Sequence, residues 1–322
     1  VDGPKDKQFR SSYKLCGPKF IRKILLMIIS IASGKGGTGK TTVATNLAFS
    51  LGKNVQIMDC DVEEPNSHLF LKPEIRERQA VIAPIPLINE FKCSYCKKCM
   101  EICRFGAIAV VGKKIITFPE LCHSCGGCMA VCPEDAILEN DRELGEIETG
   151  SIGDISFIHG RLKVGQVMSP PIIKKIRTLA DKQMVNIIDA PPGTSCPVIA
   201  AMKGADFVLL VTEPTPFGLH DLTLAVETIK ILNIPHGIVI NRAGLGNNDV
   251  KEYAKKEGIP ILMEIPFDKK IAQVYSRGEL IVEKIPEYKD KFLDLFDQIK
   301  NLVNNLAKSP VKDIADKGAA TK

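Results

Sequence analysis

The sequence contains no apolar run long enough to cross a bilayer as a helix. The most apolar stretch, residues 24–32, falls far short of the roughly 20 residues such a helix needs. Lys19, Arg22 and Lys23 precede it in the manner of a secretory leader. It leads straight into a glycine loop without a convincing cleavage site, however, and is expected to be a buried strand rather than a leader. Charge of one sign is also scarce: 43 Lys and Arg against 38 Asp and Glu leave a net +5. The basic residues gather only into short clusters such as Lys97-Lys98 and Lys113-Lys114, so the chain offers no nucleic-acid surface, and no stable membrane insertion is expected. Cysteines scattered in a disulfide framework are missing too. Eight of the 11 lie in two tight runs, which points to metal in a reducing, cytoplasmic compartment. Residues 1–23 lack a sustained period and are expected to form an extension outside the fold, with Met27 a candidate natural start; the polar tail over 308–322 is expected to be disordered.

What remains is a soluble globular composition, 45% hydrophobic and 25% charged. Short Ile- and Val-rich runs at 26–32, 55–58, 185–188, 207–211, 237–240 and 261–265 have the character of strands buried on both faces. Helical period fills 41–51, 171–182, 219–232, 250–257 and 290–306. This alternation predicts a parallel sheet covered on both sides and joined by right-handed crossovers. It breaks over 83–148, where the cysteine runs lie and where Cys93 to Ile108 is repeated as Cys122 to Ile137. The expected organisation is therefore one α/β domain (24–82 and 149–307) interrupted by a small pseudo-symmetric insertion.

Gly34-Lys35-Gly36-Gly37-Thr38-Gly39-Lys40-Thr41 matches G-x-x-x-x-G-K-[ST] between an expected strand and an expected helix, the context a phosphate loop requires. Glycines let successive N–H groups turn toward one anion, the helix N-terminus adds positive character, Lys40 neutralises phosphate oxygens and the Thr41 hydroxyl can ligate Mg²⁺; Thr42 follows in the same turn. The extra lysine, Lys35, makes the segment resemble the deviant Walker A motif of the MinD/ParA, Mrp and nitrogenase iron-protein ATPases. The resemblance implies an ATP-sandwich homodimer in which Lys35 reaches the partner's nucleotide. Met58-Asp59-Cys60-Asp61 resembles switch I, implying that Asp61 orients or activates the attacking water and Asp59 supports the Mg²⁺ shell. Asp189-Ala190-Pro191-Pro192-Gly193 resembles Walker B and switch II, implying that Asp189 holds Mg²⁺ through water and that the Gly193 N–H senses the γ-phosphate. The Asn241-Arg242 and Pro266-Phe267 segments are similar to the family's adenine-binding loops, and the absence of Asn-Lys-x-Asp favours ATP over GTP. The fold class implied is a parallel-sheet P-loop NTPase with an inserted small α+β ferredoxin-like domain.

Cys93-x₂-Cys96-x₂-Cys99-x₃-Cys103 and Cys122-x₂-Cys125-x₂-Cys128-x₃-Cys132-Pro133 are two copies of the bacterial ferredoxin run. Three thiolates wrap one corner of a [4Fe–4S] cubane, and the fourth serves the other cluster. One cluster is thus expected on Cys93, Cys96, Cys99 and Cys132, the other on Cys103, Cys122, Cys125 and Cys128. Zinc is the alternative occupant of Cys-x-x-Cys pairs, although it leaves the repeated triplet unexplained. Arg104 stands where that run usually has Pro. Cys16 and Cys60 receive no role. Cys196 follows Asp189 at the interval of a cluster ligand in nitrogenase iron protein but lacks a second ligand nearby, and the interfacial Cys-x-x-Cys of Mrp-type carriers is absent.

The expected activity is a Mg-dependent ATPase whose nucleotide-driven dimer rearrangement is coupled to electron transfer, or to metal-cofactor maturation on a redox or cofactor protein partner. The rival is a spatial organiser of the MinD or ParA kind, with the cysteine domain a docking module. MinD proper ends in an amphipathic membrane helix; the corresponding stripe here, Phe292, Leu295, Phe296, Ile299, Leu302, Val303 and Leu306, is expected to be core instead.

Overall fold

The computed structural model describes residues 27–308; the expected N-terminal extension with Cys16, and the tail beyond Lys308, lie outside the described residues. In chain order the strands are β1 (Met27–Ala32), β2 (Val55–Asp59), β3 (Glu74–Ile88), β4 (Ile108–Val111), β5 (Lys114–Thr117), β6 (Ile137–Ile152), β7 (Ile155–Leu162), β8 (Val185–Asp189), β9 (Phe207–Thr212), β10 (His236–Ala243) and β11 (Ile261–Pro266). The helices are α1 (Lys40–Leu51), α2 (Ser67–Leu71), α3 (Lys98–Ile102), α4 (Gly127–Ala130), α5 (Pro170–Thr178), α6 (Cys196–Met202), α7 (Pro216–Leu232), α8 (Asp249–Glu257), α9 (Lys269–Ser276), α10 (Ile281–Lys284) and α11 (Glu287–Lys308).

Alternation along the central strands sends neighbouring side chains to opposite faces of one sheet. Ile29, Ile57, Ile187, Leu209 and Val239 meet α1, α10 and α11 on one side. Met58, Ile188, Leu210 and Ile240 meet α5, α6, α7 and α8 on the other. Both layers are dry, which is why these strands read as unbroken apolar runs. The stripe on α11 joins the first layer: Phe292, Leu295 and Ile299 are fully buried, Phe296, Leu302 and Val303 pack against them, and Leu306 is exposed.

The sheet runs β11-β10-β9-β1-β8-β2-β7-β6-β3. It is parallel through β7, but β6 and β3 are antiparallel, which corrects the expectation of a wholly parallel sheet. The reversal comes from the tight Gly153-Asp154 connection between paired Ile152 and Ile155, where Gly153 takes φ +53°. β3 and β6 form a long ribbon from Glu74↔Ser151 to Ile88↔Ile137. Its base is held by β7 over Gly145–Ile152, and its far half carries residues 89–136. Position 83 thus falls where the ribbon leaves the sheet, and 148 within its sheet-bound half. Helix ends also shift. α5 stops at Thr178, its end closed by the Leu179 and Ala180 N–H groups on the Ile176 and Arg177 carbonyls, and the Asp181 carboxylate accepts the Gln183 N–H at 2.7 Å in the turn beyond. α7 starts at Pro216 because the Thr215 hydroxyl accepts the Gly218 N–H at 3.0 Å.

Candidate functional site

β1 ends at Ala32 and α1 begins at Lys40, so the glycine segment forms the turn between them. Gly39 precedes the helix at φ +98°, and a Cβ there would lie 2.3 Å from the Asn241 amide nitrogen. A Cβ on Gly34 would lie 2.1 Å from the Asp221 carbonyl oxygen, so the start of the loop is pressed against α7. α1 has no side-chain cap and no acid in its first turn. Its leading N–H groups are therefore open to an anion. Lys40 is buried beside them.

Behind the loop, Asp59 and Asp189 are register partners at the ends of adjacent strands β2 and β8, both fully buried. One Asp59 oxygen accepts the Asp61 N–H at 3.0 Å; the other accepts those of Asn66 and Ser67 at 3.1 and 2.9 Å. Asp59 thereby braces the whole 61–67 segment. One Asp189 oxygen accepts the Ser67 hydroxyl at 3.2 Å, and the neighbouring Thr41 hydroxyl pulls the carboxyl's pKa down. The other Asp189 oxygen is buried without a partner among the described residues. Burial pushes the pKa of Asp59 well up, reinforced by the Asp189 charge. Asp189 is also raised by burial, against the opposing pull of Lys40. Asp61 rises to about 6, through burial first and the Asp189 charge second. An unpartnered carboxylate oxygen beside a hydroxyl is the donor chemistry a hard divalent cation takes, so Thr41 and Asp189 fit Mg²⁺. Asp59, its oxygens engaged by backbone, acts one layer behind.

A cavity of about 510 Å³ opens over the loop. It brings together Gly36, Gly37, Gly39, Lys40, Thr41 and Thr42 with Asp61, and with Asn241, Arg242, Pro266 and Phe267 at the far end. Gly34, Lys35, Thr38, Asp59, Asp189 and Gly193 are not on its wall. The Gly193 N–H is donated to the Ser33 carbonyl at 3.0 Å. Asn241 donates to the Thr38 carbonyl at 2.8 Å and accepts the Arg242 N–H at 2.9 Å, so here it ties β10 to the phosphate loop. The Arg242 guanidinium pairs with Glu213 at 2.8 Å. Sequence reasoning missed Glu64, Asn66, Ile271, Ala272 and Tyr275 on the same wall, whereas Asp268, also there, ends the Pro266-Phe267 loop segment already singled out. Ile271, Ala272 and Tyr275 lie on α9; the one-turn spacing of Ile271 and Tyr275 was the signal available.

The residues between the ribbon arms repeat in backbone geometry as well as in cysteines. Left-handed φ recurs at Tyr95 and Ser124, Lys97 and Gly126, Gly106 and Asp135. α3 matches α4, and the β4–β5 pairing Ile108↔Thr117 matches Ile137↔Ile88 in the ribbon. One cavity is lined by Cys93, Cys96, Cys99 and Cys132, a second by Cys103, Cys122, Cys125 and Cys128. Each run thus lends its fourth thiol to the other cavity. The Tyr95 and Ala136 N–H groups donate to Cys93 and Cys132 sulfurs at 3.3 Å, and Ser124 to Cys122 at 3.4 Å. Four thiols around one cavity, with amides aimed at sulfur, fit a cubane cluster. Among the described residues no three such side chains converge on a single-ion position. Cys60 is buried behind the Walker-type loop, its thiol pushed far up by burial; Cys196 is exposed at the start of α6. Among the described residues, no helix is long and apolar enough to cross a membrane.

A model of the CobQ/CobB/MinD/ParA nucleotide binding domain matches residues 29–281. The uncharacterized protein MJ0579 of Methanocaldococcus jannaschii is 33% identical over 290 residues, 87% of this chain and 97% of its own. An iron-sulfur cluster carrier protein of the same organism is 26% identical over 269 residues, 78% of this chain and 76% of that protein. The solved septum site-determining protein MinD of Pyrococcus horikoshii, complexed with Mg-ADP, superposes with a TM-score of 0.55 at 22% identity, covering 88% of this chain and 100% of that one. That likeness shows the fold alone. The family match takes in the glycine loop, both buried strand-end aspartates and the cysteine runs between them: the chain belongs to the CobQ/CobB/MinD/ParA nucleotide-binding family of P-loop ATPases.

Proposed function

We propose that this protein is a Mg-dependent ATPase carrying two [4Fe–4S] clusters in a ferredoxin-like insertion, and that its nucleotide cycle is coupled to electron transfer or to cofactor maturation on a partner protein. The observation that carries this reading is the crossed lining of the two thiol cavities, on a ribbon continuous with the sheet that holds the nucleotide cavity.

In the ATPase reaction, the open N–H groups of α1 and the Lys40 ammonium hold the β- and γ-phosphates. Thr41 and Asp189 hold Mg²⁺, which when bound neutralises phosphate charge. Asp61, on the cavity wall and ionised above pH about 6, accepts a hydrogen bond from the attacking water and orients it in line. Gly193 contributes by exchanging its bond to the Ser33 carbonyl for the γ-phosphate. Arg242, Pro266 and Phe267 enclose the base. Lys35 stands off the wall of its own cavity, which supports its acting on the nucleotide of a second copy in a homodimer. The clusters, when bound, supply one-electron chemistry; the chain's contribution is the thiol sets and the amides that stabilise negative sulfur.

The branch in which the clusters remain in place is supported by the four thiols that line each cavity. The name borne by several relatives, iron-sulfur cluster carrier protein, supports the maturation branch. A positioning role of the MinD kind would call on an apolar stripe free to meet a surface, whereas Phe292, Leu295 and Ile299 are buried in the core.

The test is metal and sulfide content together with ATP turnover of anaerobically purified full-length chain. The expected result is about eight iron and eight labile sulfide per chain with Mg-dependent hydrolysis. Zinc in place of iron would overturn the cluster assignment, and no hydrolysis would overturn the ATPase.

A further inference from the structure

One transverse row of the sheet is polar from the ribbon to the nucleotide site. Arg78 on β3 is the register partner of Glu148 on β6, Glu148 of His159 on β7, His159 of Asp59 on β2, and Asp59 of Asp189 on β8. Register partners project to the same face, so this is a continuous line of side chains. Four of the five are buried: Asp59, Asp189, His159 and Glu148 are 0, 0, 1 and 5% exposed. Burying polar groups is costly, and a line of them across five strands is not what packing alone selects. The ribbon end is tied by Arg78 to Glu148 at 2.7 Å and by Glu148 to His159 at 2.5 Å.

No direct bond joins His159 to Asp59; the short helix α2 closes that gap. Its first residue, Ser67, gives its N–H to Asp59 and its hydroxyl to Asp189. The second, His68, packs its ring on that of His159, centroids 5.1 Å apart. Phe70 meets Tyr275 of the cavity wall at 5.3 Å. Five residues of helix therefore touch the expected metal ligand, the cavity wall and the β7 strand against which the ribbon's base is held. A helix held through a few polar bonds can occupy two discrete seats, and moving it would tilt whatever it grips.

Resting on the proposed function, we propose that α2 is the joint through which occupancy of the nucleotide cavity repositions the ribbon and its cysteine-bearing lobe, with the His68–His159 contact its transmitting element. Closing the 61–67 segment over nucleotide draws on Ser67. His68 then shifts against His159, which Glu148 and Arg78 lock to β6 and β3. Because the ribbon beyond Gly145 has no other strand beside it, a small rotation at its foot is enlarged along its length. His68 and His159 are positioning residues in this account; neither lines the nucleotide cavity.

The experiment is amide hydrogen exchange in the ribbon, residues 82–88 and 137–144, of anaerobic full-length protein with and without Mg-ATP, with ATP affinity and iron content measured on the same samples. In wild type, nucleotide is expected to change ribbon exchange by about five-fold, within the usual span of inter-site coupling. In His68→Ala the change drops below about two-fold while ATP affinity and iron content are kept. His159→Gln, which retains a donor for Glu148 but lacks the ring, gives the same loss. A wild-type ribbon indifferent to nucleotide in a sample that binds ATP and contains iron would overturn the joint while leaving the proposed function intact, as would a full response in both variants. Failure to bind ATP or iron would overturn the proposed function, and the joint with it.

Discussion

Three carboxylates stand at the proposed nucleotide site, and burial gives them different surroundings. Asp59 uses both oxygens on the backbone N–H groups of Asp61, Asn66 and Ser67, so it shapes the segment rather than touching ligand. Asp189 keeps one buried oxygen without a partner, and Asp61 faces the cavity with its pKa raised to about 6. Hydrolysis is therefore expected to rise with pH through a limb near 6 and then level off. Asp61→Asn should lower turnover by about 10²–10⁴-fold while leaving ATP binding in place. Steady-state rates from pH 5 to 8 for both proteins check this; a variant with wild-type turnover would remove Asp61 from the mechanism. The raised pKa values also set stability. A folded state that binds protons more tightly than the unfolded chain has that contribution in full below the unfolded pKa near 4 and loses it as pH rises toward about 6. Above pH about 6 the ionised Asp61 carboxylate faces Asp189 with Lys40 as the opposing charge, and a bound Mg²⁺ would add to that relief. The rise in melting temperature on adding Mg-ADP should accordingly be larger at pH 7.5 than at pH 5, as calorimetry would report; an equal or smaller rise at pH 7.5 would mean that these carboxylates do not bind the metal.

Among the elements, the ribbon and the repeated lobe were unequally legible in the sequence. The lobe announces itself through Cys-x₂-Cys spacing, because the proposed cubane would dictate where thiolates must stand, and the structure adds the matching left-handed residues Tyr95 and Ser124, Lys97 and Gly126. The ribbon does not: β3 carries Pro84 and Pro86 and a charged, exposed first half. Those are marks of a turn-rich segment until one knows that β3 is an edge strand, where a missing N–H is tolerated. α9 was likewise hidden, because its role is to wall the cavity rather than to bury a full apolar face. The crossed thiol sets give an element-scale prediction. Cys132→Ala should leave the same residual spectrum of the reduced protein as Cys96→Ala, and Cys103→Ala the same as Cys125→Ala, by electron paramagnetic resonance. If Cys132→Ala instead resembled Cys125→Ala, each run would ligate its own cluster and the crossing would be wrong.

At the scale of the whole molecule, the family's central strands were readable because dry layers on both faces demand unbroken Ile and Val. The phosphate loop was readable because only glycine meets the φ of Gly39 beside Asn241. What no linear pattern could give is the antiparallel extension of the sheet, which places the cysteine lobe on the same β-network as Asp59 and Asp189. That continuity is the physical basis for treating nucleotide and clusters as parts of one device. The most direct test is ATP turnover of anaerobically purified protein with its clusters first oxidised and then reduced, beside Cys125→Ala. The account predicts a turnover that changes with redox state and a variant in which that change is lost. Identical turnover in both states of the intact protein would contradict it.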